Sequence, residues 1–434
     1  MCRFTQHLGV TVSRSLALLA LVLGSASGLG ADNAVYLWRT FAGQPGSWGT
    51  NDGAGGAARF YYPGGVAADG AGNLFVADTI NHTIRKVTSA GAVTTLAGSA
   101  GNAGTNDGTG SAARFWYPSG VAVDGTGNVY VADQGSHTIR RITSGGAVST
   151  LAGLGGNSGT NDGTGSAARF SSPSGVAVDG AGTVYVADYF NHTIRQVTSA
   201  GIVTTLAGWA GQSGTNDSQG TAARFSLPSS VAVDTDGNVF VADFGNHTVR
   251  MITSGGIVST LAGLAGNPGS DDGPGGSARF YYPQGVAVDA AGNVLVADRF
   301  NHTIRKVTGA GAVTTLGGSA ELSGTNDGPG NAARFNLPYG VAADSAGNVY
   351  VADTYNHRIS KGISLPVLAI RQSGNSSIVF WPSPSASFVL EENSDPANAT
   401  GWVTCGYPIA DDGTNKSITI TSPTDNQFFR LVSD

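Results

Sequence analysis

The sequence predicts an all-β protein: a six-bladed β-propeller, closed by an N-terminal strand that completes the last blade, followed by a small C-terminal antiparallel β-domain. Two observations carry this prediction. One motif recurs six times with a constant step of 55 residues, and the composition disfavours helices. Of 434 residues, 66 are glycine and only 12% are charged, which is typical of short strands joined by tight turns. The formal charge of -6 comes without a basic run, so no nucleic-acid partner is expected.

Three markers keep the same step in every copy of the repeat. An Arg-Phe pair comes first, a proline follows it, and a Val-Ala-Asp segment comes later. The arginines of the first marker are Arg59, Arg114, Arg169, Arg224, Arg279 and Arg334, and the aspartates of the third are Asp78, Asp133, Asp188, Asp243, Asp298 and Asp353. Six copies without an insertion indicate one supersecondary unit that packs against further copies of itself.

Each copy predicts four antiparallel strands. In the first copy, two apolar runs at residues 65–69 and 74–78 flank a turn rich in Asp, Gly and Asn. Residues 83–88 then alternate apolar with polar side chains, and residues 92–97 form a fourth run. Four short strands joined by tight turns make one propeller blade, and radial repetition of blades protects the sheet edges.

The two ends of the array predict how the ring closes. Residues 37–43 precede the first full copy and align, after a shift of one period, with the fourth strand of a blade. The sixth copy has its first three strands and then departs from the pattern at residues 364–366. One strand is therefore spare at the start and one is missing at the end. Pairing them gives six complete blades, whereas the rival architecture, a solenoid, would need caps.

The turn after each second strand carries an Asn-His pair, which is Asn81-His82 in the first copy. Further copies begin at Asn191, Asn246, Asn301 and Asn356, and the second copy has Ser136-His137. With Asp78 before the pair and Ile84-Arg85 after it, this segment resembles the NHL repeat. The resemblance covers about residues 37–364 and implies a propeller. It leaves function open, because the family includes binding scaffolds, sensor ectodomains and a few lyases and hydrolases.

The segments outside the array have their own predicted roles. Residues 1–30 contain Arg3 and Arg14, an apolar run at residues 16–23 and small residues after it, which favours a cleaved export signal over an uncleaved anchor. We therefore expect a secreted, periplasmic or cell-surface protein without a transmembrane span after cleavage. The propeller is expected at residues 35–364, and a small β-sandwich-like domain at residues 366–434.

The repeated polar residues are expected to build the blades rather than to catalyse a reaction. Asp78, His82 and Arg85 have counterparts in the other copies, whereas a catalytic site needs one constellation that breaks the symmetry. The sixth copy departs, with Arg358 in place of Thr83 and Ser360 in place of Arg85, so its hydrogen bonds must be rewired. The rest of the predicted inner strand is Val, Ala and Gly, so we expect a channel wall short of reactive groups.

No cofactor is predicted from these motifs. The histidines lie in turns without clustered acidic or thiol partners, which disfavours zinc. The loop at residues 50–55 and its copies carry Asn-Asp-Gly turn chemistry, and structural calcium is the weaker alternative there. Cys405 is the single cysteine left after signal cleavage and is expected to be a packed strand residue.

Function is expected where the copies differ, on the face that bears the loop into the first strand and the turn between the second and third strands. Aromatic rings and one arginine occupy variable positions there, as is typical of recognition surfaces. The candidate ligand-binding residues are Tyr61, Tyr62, Trp116, Tyr117, Tyr189, Phe190, Tyr281, Tyr282, Arg299 and Tyr339. The alternative is that half of these rings pack between blades.

The leading hypothesis is a monomeric, non-enzymatic binding or scaffold protein that recognises a protein, peptide or glycan. The alternative is a propeller enzyme of the lyase or lactonase type with an axial metal ion. Its sign would be one unrepeated cluster of His, Asp, Glu or Asn on the inner strands, and the sequence shows no such cluster. A third hypothesis, a cell-surface sensor domain, would require a transmembrane segment that the pattern does not indicate.

Overall fold

The computed structural model describes residues 10–12, 35–366, 368–383, 388–395, 398, 400–413, 415–421 and 427–433. They form two compact units, of which Tyr36–Ile363 is one and holds all six copies of the repeat. Apart from residues 10–12, the predicted export signal lies outside the described residues. In the part of the chain that is described, secondary structure consists of strands and single 3-10 turns, and no helix has the length and apolar character to cross a membrane.

Each repeat forms a five-stranded antiparallel sheet, so the predicted fold class is confirmed, with one strand more per blade than the pattern indicated. The additional, outermost strand has only two residues. In the first blade it is Gly53–Ala54, in which Gly53 pairs with Val93 of the fourth strand. It lies in the glycine-rich loop that was interpreted as a turn. Two residues are too few to show the alternation that identifies a strand in a sequence.

The strands occupy equivalent positions in all six blades. The innermost strands are Pro63–Ala68, Pro118–Val123, Pro173–Val178, Pro228–Val233, Pro283–Val288 and Val341–Ala343. The second strands are Leu74–Asp78, Val129–Asp133, Val184–Asp188, Val239–Asp243, Val294–Asp298 and Val349–Asp353. The third strands are Thr83–Val87, Thr138–Ile142, Thr193–Val197, Thr248–Ile252, Thr303–Val307 and Arg358–Ser364.

The fourth strands are Ala92–Gly98, Ala147–Ala152, Ile202–Ala207, Ile257–Ala262, Ala312–Gly318 and, for the sixth blade, Tyr36–Ala42. The outermost strands are Gly53–Ala54, Gly108–Thr109, Gly163–Thr164, Ser218–Gln219, Gly273–Pro274 and Gly328–Pro329. A 3-10 turn follows each outermost strand, at Gly55–Ala57, Gly110–Ala112, Gly165–Ala167, Gly220–Ala222, Gly275–Ser277 and Gly330–Ala332. In blades two to six, another 3-10 turn follows the second strand, at Gln134–Ser136, Tyr189–Asn191, Phe244–Asn246, Arg299–Asn301 and Thr354–Asn356.

The ring closes as predicted. Tyr36–Ala42 lies between Arg358–Ser364 and Gly328–Pro329, and so becomes the fourth strand of the sixth blade. Each innermost strand also packs against the next one, and the last, Val341–Ala343, packs against the first, Pro63–Ala68. The two ends of the array are therefore joined by backbone hydrogen bonds in a blade and by close approach of the innermost strands around the axis.

The closing strand differs from its counterparts at one core position. Trp38 stands where the other five fourth strands have valine. Its ring is 1% exposed, donates from Nε1 to the carbonyl of Leu316 at 3.1 Å, and packs edge-on against Phe335. Gly317 and Gly362 make the room, because a Cβ at these positions would lie 2.1 and 2.7 Å from atoms of the indole. Other copies have alanine or a branched aliphatic residue there, so the large ring and the two glycines compensate one another.

The innermost strands approach one another so closely that most blades need glycine at one position. A Cβ on Gly65 would lie 2.6 Å from the carbonyl oxygen of Ser119, and one on Gly120 would lie 2.5 Å from that of Ser174. The fourth blade has Ser230 at this position, and the other five have glycine. These glycines therefore serve close backbone approach around the axis rather than chain flexibility.

The second unit contains two four-stranded antiparallel sheets. One has the order Val10–Val12, Gln427–Ser433, Phe388–Asn393 and Val403–Thr404, and the other has the order Ala369–Ser373, Ser376–Pro382, Asn415–Thr421 and Ala410–Asp411. Val379, Trp381, Leu390, Ile418 and Phe429 are among the residues of its small core, to which both sheets contribute. Cleavage of the predicted export signal would remove the three-residue edge strand.

Cys405 packs at the margin of this small core instead of lying within a strand. It comes directly after Val403–Thr404, and its N–H donates to the carbonyl of Leu390 at 2.9 Å. Burial raises the pKa of its thiol. A thiol with a raised pKa is a poor nucleophile at neutral pH, which agrees with the packing role predicted for it.

Candidate recognition face

The repeated Asp and Arg side chains form a buried network within each blade, which an Asn side chain joins in every blade but the second, where Ser136 replaces it. In the first blade, Asp78 Oδ1 accepts the N–H of Tyr61 at 2.7 Å, while Oδ2 accepts Asn81 Nδ2 at 2.8 Å and Arg85 Nη1 at 2.7 Å. Arg85 Nη2 also contacts Asp52 at 2.7 Å. Burial raises the pKa of Asp78 to about 6 against the lowering effect of the Arg85 charge, so the carboxylate is ionised at neutral pH. The charged groups are thus engaged inside the blade, as the structural interpretation requires.

The sixth blade keeps this network by using an arginine from another position. Arg358 Nε donates to Asp353 at 2.8 Å and Nη1 to Asp327 at 2.9 Å. Arg358 stands two residues before Ser360, the residue that replaces the usual arginine. Residues two apart on a strand point to the same side of the sheet, so either position can reach the buried aspartate. The predicted rewiring is therefore present, and Arg358 also donates to Thr40 of the closing strand at 2.7 Å.

The six repeated histidines connect neighbouring blades. His82 has a left-handed backbone (φ +59°), and its Nδ1 accepts the N–H of Tyr117 from the next blade at 3.2 Å. The same bond recurs around the ring and crosses the closure from Tyr62 to His357 at 3.2 Å. Burial lowers the pKa of these histidines, which favours the neutral ring that can accept at Nδ1. In the described residues, no three His, Cys, Asp or Glu side chains converge as a metal site would need.

The loops that enter the first strands and the turns that follow the second strands share one face, here called the upper face. Ring contacts join the two sets of residues. Tyr62 lies 4.7 Å from Tyr355, and Tyr282 lies 4.6 Å from Phe244, measured between ring centroids. In each pair one residue follows Arg-Phe and the other follows a second strand. These contacts place the two variable positions on the same surface, as chain direction predicted.

Two groups of rings form continuous aromatic patches on the upper face. The first patch comprises Trp48, Tyr61, Tyr62 and Tyr355 from the sixth and first blades. Trp48 is 63% exposed and stacks on Tyr61, with 4.6 Å between centroids and 21° between the ring planes. The second patch comprises Tyr189, Phe190, Phe244, Tyr281, Tyr282 and Phe300 from the third, fourth and fifth blades. Phe190 is its most exposed ring, at 56%.

The candidates named from the sequence divide among these places. Tyr61 and Tyr62 belong to the first patch; Tyr189, Phe190, Tyr281 and Tyr282 belong to the second. Trp116 and Tyr117 are both exposed on the second blade. Sequence reasoning missed Trp48, Phe244, Phe300 and Tyr355. Trp48 could have been recognised because the five other copies have a small residue at the same position of the repeat. Phe244, Phe300 and Tyr355 stand at the variable positions that follow the second strands.

Packing between blades accounts for part of this aromatic surface. Tyr117 and Tyr282, whose N–H groups bind a histidine of the preceding blade, also place their rings against that histidine, with centroids 4.8 and 4.3 Å apart. Tyr62 does the same against His357 at 4.7 Å. The second residue of each aromatic pair therefore has a structural contact as well as an outward surface.

The remaining two candidates, Arg299 and Tyr339, meet at the propeller axis. Tyr339 comes from the sixth blade, yet its hydroxyl lies 2.7 Å from Ser119 Oγ and 3.0 Å from Ser174 Oγ of the second and third blades. Arg299 lies over the Tyr339 ring, with 5.7 Å from Cζ to the centroid, and donates from Nη1 to Gln284 Oε1 at 3.1 Å. These five residues are called the channel mouth below.

The channel mouth corrects the expectation of an inner wall without reactive groups. In five blades the innermost strand begins at the proline, two residues earlier than predicted, so the position after the proline, which varies among the six copies, also faces the axis. Its occupants are Gly64, Ser119, Ser174, Ser229, Gln284 and Tyr339. The cavity on the axis is lined by these inner strands and has a volume of about 40 Å³. That is room for a few water molecules, so a larger ligand must lie across the mouth rather than inside the channel.

Comparison with known proteins agrees with this architecture. The NHL-repeat family model matches residues 60–87, 115–142, 170–197, 225–250, 280–307 and 335–361, and the chain is therefore a member of the NHL-repeat family. NHL repeat-containing protein 2 of Bos taurus is 32% identical over 334 residues, which cover 69% of this chain and 46% of the relative. The human protein of the same name is 31% identical over 334 residues, which again cover 69% of this chain and 46% of the relative. The chain thus spans about half the length of the curated relatives it matches.

Solved structures show the same fold at lower identity. A protein of unknown function from Bacteroides thetaiotaomicron has a TM-score of 0.60 and 24% identity over 75% of each chain. An auxiliary nutrient binding protein from Bacteroides ovatus has a TM-score of 0.57 and 20% identity over 76% of this chain and 77% of that one. At these identities the likeness concerns the fold.

Proposed function

We propose that the chain is a secreted, non-enzymatic binding protein whose upper face recognises a protein, peptide or glycan. The observation that carries the proposal is the pair of exposed aromatic patches on the upper face. Aromatic rings held rigidly at a surface supply large contact areas at little cost in side-chain entropy, and contiguous exposed apolar surface marks interaction sites.

The uneven distribution of the rings supports a recognition role. The buried Asp–Arg network and the histidine bonds recur around the ring, as structural devices should. The aromatic patches instead occupy the sixth and first blades and the third to fifth blades, with different residues in each. Construction of six equal blades does not require this asymmetry, whereas recognition of one ligand does.

Two upper-face substitutions test the proposal once a partner has been captured from the native envelope or medium. Trp116→Ala combined with Tyr281→Ala should weaken binding about tenfold or more, because each substitution removes an exposed ring from the contact surface. The matched control is Ile202→Ala with Ile257→Ala, at exposed positions where fourth strands begin, on the opposite face. Both double variants should keep the thermal midpoint of the parent. An affinity unchanged in the first variant would remove the upper face from the binding site.

Two further measurements address export and catalysis. Export is supported by the basic, apolar and small residues at the start of the chain, and the mass of the mature protein should show loss of about residues 1–30. The propeller-enzyme alternative predicts a stoichiometric metal ion in purified protein. Elemental analysis that finds such an ion would favour the enzyme over the binding protein.

A further inference from the structure

We infer that the channel mouth binds the carboxylate of an acidic sugar, so that the ligand of the upper face is a uronate-containing glycan. This inference rests on the proposed function and names the class of ligand for it. Its basis is one arginine that has no carboxylate partner among the described residues, a group of hydroxyl and amide side chains that hold it in place, and exposed rings beside it.

Arg299 differs from the arginines that build the blades. Each buried arginine of the third strands binds two aspartates, as Arg85 binds Asp78 and Asp52. For Arg299, no carboxylate partner occurs among the described residues; its contacts are Gln284 and the rings of Phe300 and Tyr339. A guanidinium placed in this way has donors left for the planar, two-point bond that a carboxylate offers.

The groups around Arg299 hold it and Tyr339 in place at the mouth. The side chains of Ser119, Ser174 and Gln284 are almost fully buried, at 2%, 1% and 3% exposure, and the Tyr339 hydroxyl joins the two serines. Because these three side chains are buried and paired with Tyr339 or Arg299, they fix the two residues that are partly exposed to solvent. Together with Tyr339 they come from four different blades, so the ring closure holds them in place.

The shape of the surface favours a glycan over a peptide chain. A peptide commonly binds by adding a strand to a free sheet edge, but each innermost strand already packs against the next one around the axis. Phe300 instead presents a ring that is 38% exposed beside Arg299, with 5.6 Å from Arg299 Cζ to its centroid, and it also contacts Tyr281 of the second patch. The C–H face of a pyranose carries weakly positive hydrogens that lie favourably on the negative face of such a ring. The channel itself is too small for a sugar, so the ligand lies across the mouth.

Calorimetric titration with trigalacturonate and with its methyl ester separates the charge from the sugar. Both probes present the same rings and hydroxyls, but the ester has no carboxylate. The acid should bind about tenfold or more tightly than the ester, and Arg299→Gln should abolish that difference without weakening the ester. The control Arg141→Gln, which changes a partly exposed third-strand arginine close to Tyr130, should leave both affinities unchanged.

Two outcomes would overturn the inference. Equal affinity for acid and ester, or unchanged binding of the acid to Arg299→Gln, removes the carboxylate site. Tighter binding of a peptide with a free C-terminal carboxylate, lost in Arg299→Gln, assigns the mouth to peptides instead. Failure of the proposed function looks different: a captured partner would bind equally to the parent and to the double variant of Trp116 and Tyr281.

Discussion

Replacing Trp38 by the valine of the other blades tests how the ring is held closed. The indole is fully buried, donates to the carbonyl of Leu316 and packs against Phe335. Trp38→Val leaves a gap beside Gly317 and Gly362 that backbone glycines cannot fill. Replacing a buried aromatic side chain by alanine lowers the free energy of unfolding by about 3–5 kcal/mol. Valine fills part of the volume that alanine would leave empty, so the loss is smaller. We therefore expect the free energy of unfolding to fall by about 2–4 kcal/mol.

The two glycines provide the second half of the test. In the parent protein, Gly317→Ala would place a Cβ 2.1 Å from the indole Nε1, so this variant alone should be destabilised. Combined with Trp38→Val and Gly362→Val, the same substitution restores the side chains that the other blades use. The triple variant should lie within about 1 kcal/mol of the parent, which requires a strongly favourable coupling between neighbouring substitutions.

Urea unfolding followed by far-ultraviolet circular dichroism measures these differences without depending on tryptophan fluorescence. Trp209→Val is the matched control, since this tryptophan is 55% exposed and its loss should change stability by less than about 0.5 kcal/mol. Compensation at the closure would be refuted by a Trp38→Val variant as stable as the parent. The compensation would also be refuted if the loss of stability in the triple variant equalled the sum of the losses caused by the three single substitutions.

Two further predictions concern the structural network and the histidines. Arg358→Thr should destabilise the protein by about 3–5 kcal/mol, because Asp353 would lose its buried cation. Adding Ser360→Arg should recover most of this loss. Chemical unfolding of both variants would show whether an arginine at position 360 can pair with Asp353. Burial lowers the pKa of His192, and its neutral ring accepts the N–H of Leu227. This hydrogen bond therefore stabilises the folded state fully above about pH 6.5, the pKa of an unfolded histidine. The stabilisation is lost as the pH falls through the lower pKa of the folded state. The difference in the free energy of unfolding between the parent and His192→Ala should therefore shrink on acidification. The NMR chemical shifts of the His192 imidazole should titrate with a midpoint below about pH 6.5. A stability difference that stays constant from about pH 5 to pH 8 would contradict this role.

The architecture could be predicted because the repeat constrains it many times over. Six in-phase copies report the same strands, and residues 37–43 identify the spare strand that completes the last blade. The outermost strands escaped prediction because two residues carry no periodicity. The early start of the innermost strands was missed for a related reason: a proline at a strand's first position reads equally well as part of a loop.

The candidate site was predicted less completely than the fold. Variable aromatic positions could be recognised in the alignment of the copies, and eight of the ten candidates lie in the two patches or on the second blade. Their grouping into patches could not be recognised, because it depends on which side chains of neighbouring blades meet. The approach of Tyr339 to Ser119 and Ser174 across the axis is likewise a contact between residues more than 160 positions apart.

The sequence by itself determined the number of blades, the closing strand and the structural nature of the repeated Asp, His and Arg residues. These features follow from local patterns copied at a constant period. The tertiary structure alone decided where the variable residues meet: the two aromatic patches, the occupied axis and the arginine that has no carboxylate partner in the described part of the chain. Ring closure brings the inner strands of all six blades around one axis. Residues that differ from the repeat in several distant copies are therefore brought together in one site.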